Sequence, residues 1–189
     1  MARSGLSTDR LVRAAAELAD TVGFDQVTVS ALARQFDVKV ASLYSHLRSS
    51  HDLKTRIALL ALEELADQVA AALAGRAGKD ALAAFADVYR DYAREHPGRY
   101  AAAQLRLDAE TAAASAGGRH AQMTRAILRG YDVAEPDQTH AVRLLGSVVH
   151  GYVSLEMAGG FDHSAPDPQE TWSWILDRLD ALLRNWPTS

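Results

Sequence analysis

VTVSALARQFDVKVASLYSHLRSSHDL, residues Val27 to Leu53, spells two short helices, a tight turn between them and the start of a third. Thr28 is an N-cap for a helix opening at Val29, because its hydroxyl can accept an orphan backbone N–H of the first turn. Val29, Leu32, Ala33 and Phe36 fall at i, i+3, i+4 and i+7, one apolar helical face. Asp37, a poor helix former, stands where that helix should end, and Val38 can plug the gap behind it. A second helix is expected from Lys39 or Val40 to Leu47, with Val40, Leu43 and Leu47 inward. Its other face carries Lys39, Ala41, Ser42, Tyr44, Ser45, His46 and Arg48. This is the layout of a helix-turn-helix, whose second helix lies in the DNA major groove. Small residues let a helix approach base edges, methyl groups touch the thymine methyl, and Ser and Lys reach edges or phosphates. Tyr44 and His46 can donate to phosphate oxygens, which sets register without reading sequence. Periodicity alone is equally satisfied by an amphipathic helix pair with a solvated face.

A more specific pattern separates the two readings. The Gly23-Phe24 corner, Val27-Thr28-Val29, Leu32-Ala33, Val38, Leu43-Tyr44-Ser45-His46-Leu47 and Asp52-Leu53 stand in one order and spacing. In this, the first quarter to third of the chain resembles the N-terminal domain of the tetracycline-repressor (TetR) family. Two residues depart from the pattern. The family usually has an aromatic where Leu47 stands, and a phosphate-contacting lysine where Ser50 stands. Ser50 can cap a helix and bond a phosphate but brings no charge. Arg48, His51 or Lys54 can take over that role, with a shallower salt dependence expected. The residues expected to meet DNA are Thr28, Lys39, Val40, Ala41, Ser42, Tyr44, Ser45, His46, Arg48, Ser50 and Lys54.

Composition sets the outer limits. The 189 residues suit one compact protein, possible in two sub-domains. Few strand-like runs and abundant Ala, Leu, Arg, Glu and Asp point to an all-α chain. With no cysteine there is neither a disulfide framework nor thiol chemistry. No apolar run follows the N-terminus and no stretch of about 20 apolar residues could cross a membrane, so a cytoplasmic protein without membrane contact is expected. The net charge is −4, yet residues 1–56 hold eight Lys/Arg against six Asp/Glu. The excess base coincides with the helix-turn-helix, which suits a module that touches DNA with one end.

The first helix is expected from Thr8 or Asp9 to Val22, capped by Ser7 or Thr8, favoured by Asp9 at its positive end and closed by Gly23. Leu11, Ala15, Leu18, Ala19 and Val22 form its inward face. Met1 to Leu6 reads as a short arm carrying Arg3, either of the kind that reaches into a minor groove or merely frayed. Further helices are expected over 50–74, 79–95, 99–105, 108–130, 137–158 and 168–186, about nine in all. Gly, Pro and loop residues around 75–78, 96–98, 132–136 and 159–160 separate them. Gly117-Gly118 either kinks the 108–130 helix or divides it.

The resemblance implies an N-terminal three-helix DNA-binding domain, residues 1–50, and a C-terminal helical ligand-binding and dimerisation domain, residues 51–189. The stretch Leu145 to Gly151, with Glu156, Gly159 and Phe161, also resembles the C-terminal domain of one branch of the family. In that family the last two helices form a homodimer. Here they carry apolar stripes of Val142, Leu145, Val149 and Val153, and of Trp172, Ile175, Leu179 and Leu183. Two such helices can pack inside one chain or build a four-helix bundle with a second copy. Tyr89, Tyr92, Tyr100, Leu105, Met123, Ile127, His150 and Tyr152 are candidates to line an effector cavity, for an unknown small molecule of apolar or aromatic character. The same residues suit an ordinary core, and His150 suits a hydrogen-bonded core or interface histidine.

No enzyme is expected. The seven histidines are scattered, no zinc-type His pair, phosphate loop or nucleophile elbow occurs, and no metal or cofactor is called for. The expected protein is a ligand-responsive transcriptional regulator, a repressor that binds a palindromic operator as a homodimer. The alternative is an all-α small-molecule binding protein whose head has lost DNA affinity.

Overall fold

Ser7 opens the first helix by accepting the Arg10 N–H on its hydroxyl, and α1 runs Thr8–Val22. The structure is a computed structural model that describes residues 6–187, so the arm that carries Arg3 lies outside the described residues. α1 buries Leu11, Ala15, Ala16 and Ala19 and closes where the Gly23 N–H, at φ 90°, returns to the Ala19 carbonyl. Val22, expected inward, is exposed. A single 3-10 turn, Phe24–Gln26, seats the Phe24 ring. α2 spans Val29–Gln35, and the Thr28 hydroxyl accepts the Ala31 N–H at 3.1 Å as its cap. The turn that follows is a Schellman motif: the Val38 N–H bonds the Ala33 carbonyl at 3.0 Å and the Asp37 N–H the Arg34 carbonyl at 3.2 Å. Asp37 takes the left-handed position, φ 51°.

α3 spans Val40–Leu43, shorter than the expected 39–47. The Ser45 hydroxyl donates to the Ser42 carbonyl at 2.7 Å, and the His46 N–H closes on Leu43 three residues back. Such local side-chain bonding competes with helix propagation. α4, Ser50–Leu73, follows, with the Ser49 hydroxyl accepting the Asp52 N–H at its start. α5 spans Gly78–Glu95, α6 Pro97–Ala103, α7 Ala109–Ala114, α8 Gly117–Arg129, α9 Glu135–Met157 and α10 Pro168–Arg184. The described residues are all-helical, with ten α-helices where about nine were expected. The additional one arises because 108–130 divides at Ser115, which leaves the helix at ψ 168° and bonds its hydroxyl to the Ala112 carbonyl. Gly117-Gly118 then opens α8 and no kinked helix forms.

The chain packs as two compact units. One is Met1–Glu64 with Glu95–Ala116, the other Leu65–Arg94 with Gly117–Ser189. This division by packing does not coincide with residue 50, since α4 begins in the first unit and ends in the second. The first unit's core joins Leu11, Ala15, Val27, Leu32, Leu43, Leu47, Leu53 and Ile57 to Ala102, with Leu105 packed against it. Burying these side chains contributes about 1.5–3 kcal/mol for each large one. Gly98 lets α6 lie against α1: a Cβ there would stand 2.0 Å from the Ala19 carbonyl carbon and oxygen. Beside this contact Asp20 accepts the Arg99 N–H at 2.9 Å and His96 Nδ1 lies 3.2 Å from its other oxygen. Arg99 also reaches Glu64 at 3.2 Å, and its Nε meets Asp20 at 3.1 Å as a charge contact.

The second unit closes on Arg90, which is 2 % exposed. Its guanidinium meets Glu156 through Nε at 2.9 Å and Nη2 at 2.6 Å, and lies over the Trp172 ring at 5.2 Å. Arg94 adds a second cation to Glu156 at 2.8 Å. The Trp172 indole N–H donates to Asp87 at 2.7 Å. Two cations on one carboxylate, and one indole, therefore join α5, α9 and α10.

Candidate nucleic-acid interface

Leu43 and Leu47, 0 % and 1 % exposed, anchor α3 and its following turn in the core of the first unit. With those two inward, the rest of the segment must face solvent. Lys39, Ala41, Ser42, Tyr44, Ser45 and Arg48 are exposed and His46 is half-buried. Val40, assigned to the inward face by spacing, is instead 36 % exposed. It sits in the first turn, before the helix reaches the core, so spacing counted back from Leu43 overstates its burial.

The flanks of this face are fixed by neighbours. The Thr8 hydroxyl donates to the His46 carbonyl at 3.4 Å, tying the start of α1 to the end of the α3 segment. Arg10 lies over the Phe36 ring at 5.3 Å. Thr28 is exposed and engaged as the α2 cap. Ser49, absent from the expected set, holds the opening of α4, while Ser50 is exposed in its first turn. The Ser49-to-Asp52 spacing was the available signal, that of a capping box. Asp52 is raised by burial, but the Arg48 N–H and the Arg56 guanidinium outweigh this and hold its carboxyl below the usual range. Lys54 is turned back on the 3-10 turn, 3.3 Å from the Asp25 carbonyl and 5.1 Å from the Phe24 ring centre. Of the bases offered in place of the missing lysine, Arg48 and His51 are exposed and Lys54 is half-buried.

The residues named for an effector cavity divide between the two units. Tyr100 and Leu105 belong to the first unit, where burial raises the Tyr100 phenol to about 12 and Leu105 packs on the core. In the second unit Tyr92 is fully buried, and Ile127 and Tyr152 nearly so. Tyr89 meets His120 Nδ1 at 2.6 Å through its hydroxyl, and Met123 is half-buried. His150 is exposed on α9 near the Ser154 hydroxyl, so it is not a core histidine.

Most residues named for the dimer stripes lie inside the chain. Leu145, Val149, Val153, Trp172, Leu179 and Leu183 are buried within the chain itself, leaving Val142 and Ile175 half-exposed. The two long helices bury their strongest apolar faces against their own unit. Other apolar residues of α9 and α10 stay outside: Leu155 at 56 %, Met157 at 42 %, Trp174 at 60 % and Leu182 at 43 %. Among the described residues no group of His, Cys, Asp or Glu is placed to hold a metal, and no helix is long and apolar enough to cross a membrane.

A capped helix, a Schellman turn and a second helix anchored by two leucines define a helix-turn-helix DNA-binding protein, all-helical over the described residues. Residues 11–53 match the model of bacterial regulatory proteins of the tetR family, and residues 82–179 match the tetracyclin repressor-like C-terminal domain. The chain belongs to the TetR family of transcriptional regulators. It is 35% identical over 161 residues to an uncharacterized HTH-type transcriptional regulator of Mycobacterium tuberculosis, covering 83% of this chain and 73% of that one. It is 32% identical to the uncharacterized HTH-type transcriptional regulator YobS of Bacillus subtilis, covering 97% and 96%. Its fold is shared by a TetR variant from Acinetobacter baumannii in complex with minocycline, with TM-score 0.72, 20% identity and coverage of 98% and 100%. BioQ, solved with its double-stranded DNA operator, gives TM-score 0.69 at 20% identity over 96% and 99% of the two chains. The relatives are regulators, and the chain is a transcriptional regulator, not an enzyme.

Proposed function

We propose that the protein is a repressor that binds a palindromic operator as a homodimer and is released by a small-molecule effector. The observation that carries this reading is the outward face of α3, small, polar and basic over two fully buried leucines. Lys39, Tyr44, His46 and Arg48 supply phosphate contacts, with Thr28, Ser50 and Lys54 at its margins, and Val40, Ala41, Ser42 and Ser45 meet base edges. Two heads related by a two-fold axis demand half-sites one helical turn apart, about 34–36 Å, or a multiple of it. The apolar residues left outside on α9 and α10, Leu155, Trp174 and Leu182 above all, support dimerisation through those helices, with Val142 and Ile175 at the margin of the contact. An interior rich in Tyr, Phe and Trp in the second unit supports an apolar or aromatic effector. Release requires that the effector bind better to the conformer unfit for the operator. BioQ with its operator and the TetR variant with minocycline are fold relatives in line with both halves of this reading.

The test is selection of random duplex DNA on the purified protein at two salt concentrations. The expected result is an enriched palindrome with half-sites one turn apart and affinity that falls with salt. No enrichment by a folded dimer would sink the reading and leave a protein that binds only a small molecule.

A further inference from the structure

The outward face of α3 lacks the side chains that read guanine and adenine best. Residues 39–45 are KVASLYS, without the arginine, asparagine or glutamine whose paired groups address G and A edges. One of the two serines is already engaged, since the Ser45 hydroxyl donates to the Ser42 carbonyl at 2.7 Å. Beside Lys39, Ser42 and Tyr44, what remains outward on residues 39–45 is methyl. Helical spacing sets Ala41 opposite the buried Leu43, with Val40 and Tyr44 side by side at the border of the buried face. Ala41 is exposed, and Val40 is 36 % exposed although valine is a residue type that a folded chain usually buries. The head core is complete without it. In the major groove the one apolar group on a base edge is the C5-methyl of thymine.

We propose that this recognition helix reads its operator through thymine methyl groups. Val40 is the principal reader, Ala41 stands beside it, and Lys39 is the one long donor within residues 39–45, with Arg48 beyond them left to the phosphates. Valine suits the task because its branched side chain is stiff at χ1 and presents two methyl groups with little freedom left to lose. Ala41 lets the backbone come close enough for the contact. The half-site is therefore expected to carry adjacent thymines where the first turn of α3 enters the groove. This inference rests on the DNA-binding reading above.

The test uses the full-length protein and the operator recovered by selection. Each thymine of a half-site is replaced in turn by deoxyuridine, which removes the C5-methyl and keeps the base pair. Affinity should fall about fourfold at one or two adjacent positions, the weight of one buried methyl group. In Val40→Ala, with circular dichroism unchanged, the parent operator should bind more weakly and the deoxyuridine penalty at one of those positions should shrink toward none. Deoxyuridine without effect at every thymine would overturn methyl reading while leaving DNA binding intact. A penalty that persists in full in Val40→Ala would overturn the assignment to Val40. Failure to recover any operator would overturn the DNA-binding reading and this one with it.

Discussion

Asp37 holds the turn of the head at φ 51°, a conformation glycine adopts without steric cost and aspartate tolerates. Asp37→Gly should therefore stabilise the protein by a few tenths to about 1 kcal/mol, and Asp37→Val should destabilise it by more than that. Urea unfolding of the three proteins checks both signs. Gly98 is the opposite case, fixed by proximity and not by φ, because a Cβ would overlap the Ala19 backbone. Gly98→Ala should cost about 1–3 kcal/mol, the range of an overpacked contact, and a melting temperature equal to the parent's would refute that close approach. At this scale the sequence was partly legible. Thr28 announced its cap by type and position. Val40 was misplaced because a spacing rule treats the first turn of a helix like its middle. Gly98 carried no signal beyond that of a helix breaker, since the partner it makes room for lies far away in the chain.

At the scale of elements, helices were easier to foresee than their partners. Periodicity located α9 and α10 and their apolar stripes, but a stripe says only that a face is covered, not by which chain. The covering element proved to be their own unit, with the Arg90–Glu156 pair among its fastenings. Glu156→Gln would leave the buried Arg90 cation short of its counter-charge, at a cost of about 3–5 kcal/mol by denaturant unfolding. The hydrogen bonds from Arg90 hold the Glu156 carboxyl below its ordinary range. A depressed carboxylate stabilises the fold above its unfolded-state value, and that contribution is lost as pH falls through the folded-state value. Stability should hence drop as pH falls below the usual carboxylate range, and Glu156→Gln should flatten that drop. Equal acid profiles in parent and variant would argue against the pair.

For the whole molecule, the distribution of charge and of exposed apolar groups governs behaviour. Tyr44→Ala and Lys39→Ala should each weaken operator binding while the fold persists, because both side chains are exposed. A lost base contact costs about 1–3 kcal/mol, and a lost phosphate contact lowers the salt slope by about one. Trp174→Glu together with Leu182→Glu should shift the protein toward monomer in sedimentation and weaken its hold on a two-half-site operator. A persisting dimer would place the contact elsewhere. The helix-turn-helix was legible early because it is written in one continuous stretch. The residues named for an effector come from distant stretches, and Tyr100 and Leu105 belong to the first unit.

The segment Glu95–Ala116 packs with Met1–Glu64, and Ala102 belongs to the same core as Leu11 and Leu32. The unit that carries the helix-turn-helix is consequently discontinuous in the gene. A fragment cut after the third or fourth helix would leave that core open where Ala102 and Leu105 belong. Exchange of heads between two such regulators, in the laboratory or by recombination, has to carry two separate stretches of coding sequence at once. A single crossover near residue 50 would join each head to another protein's α6.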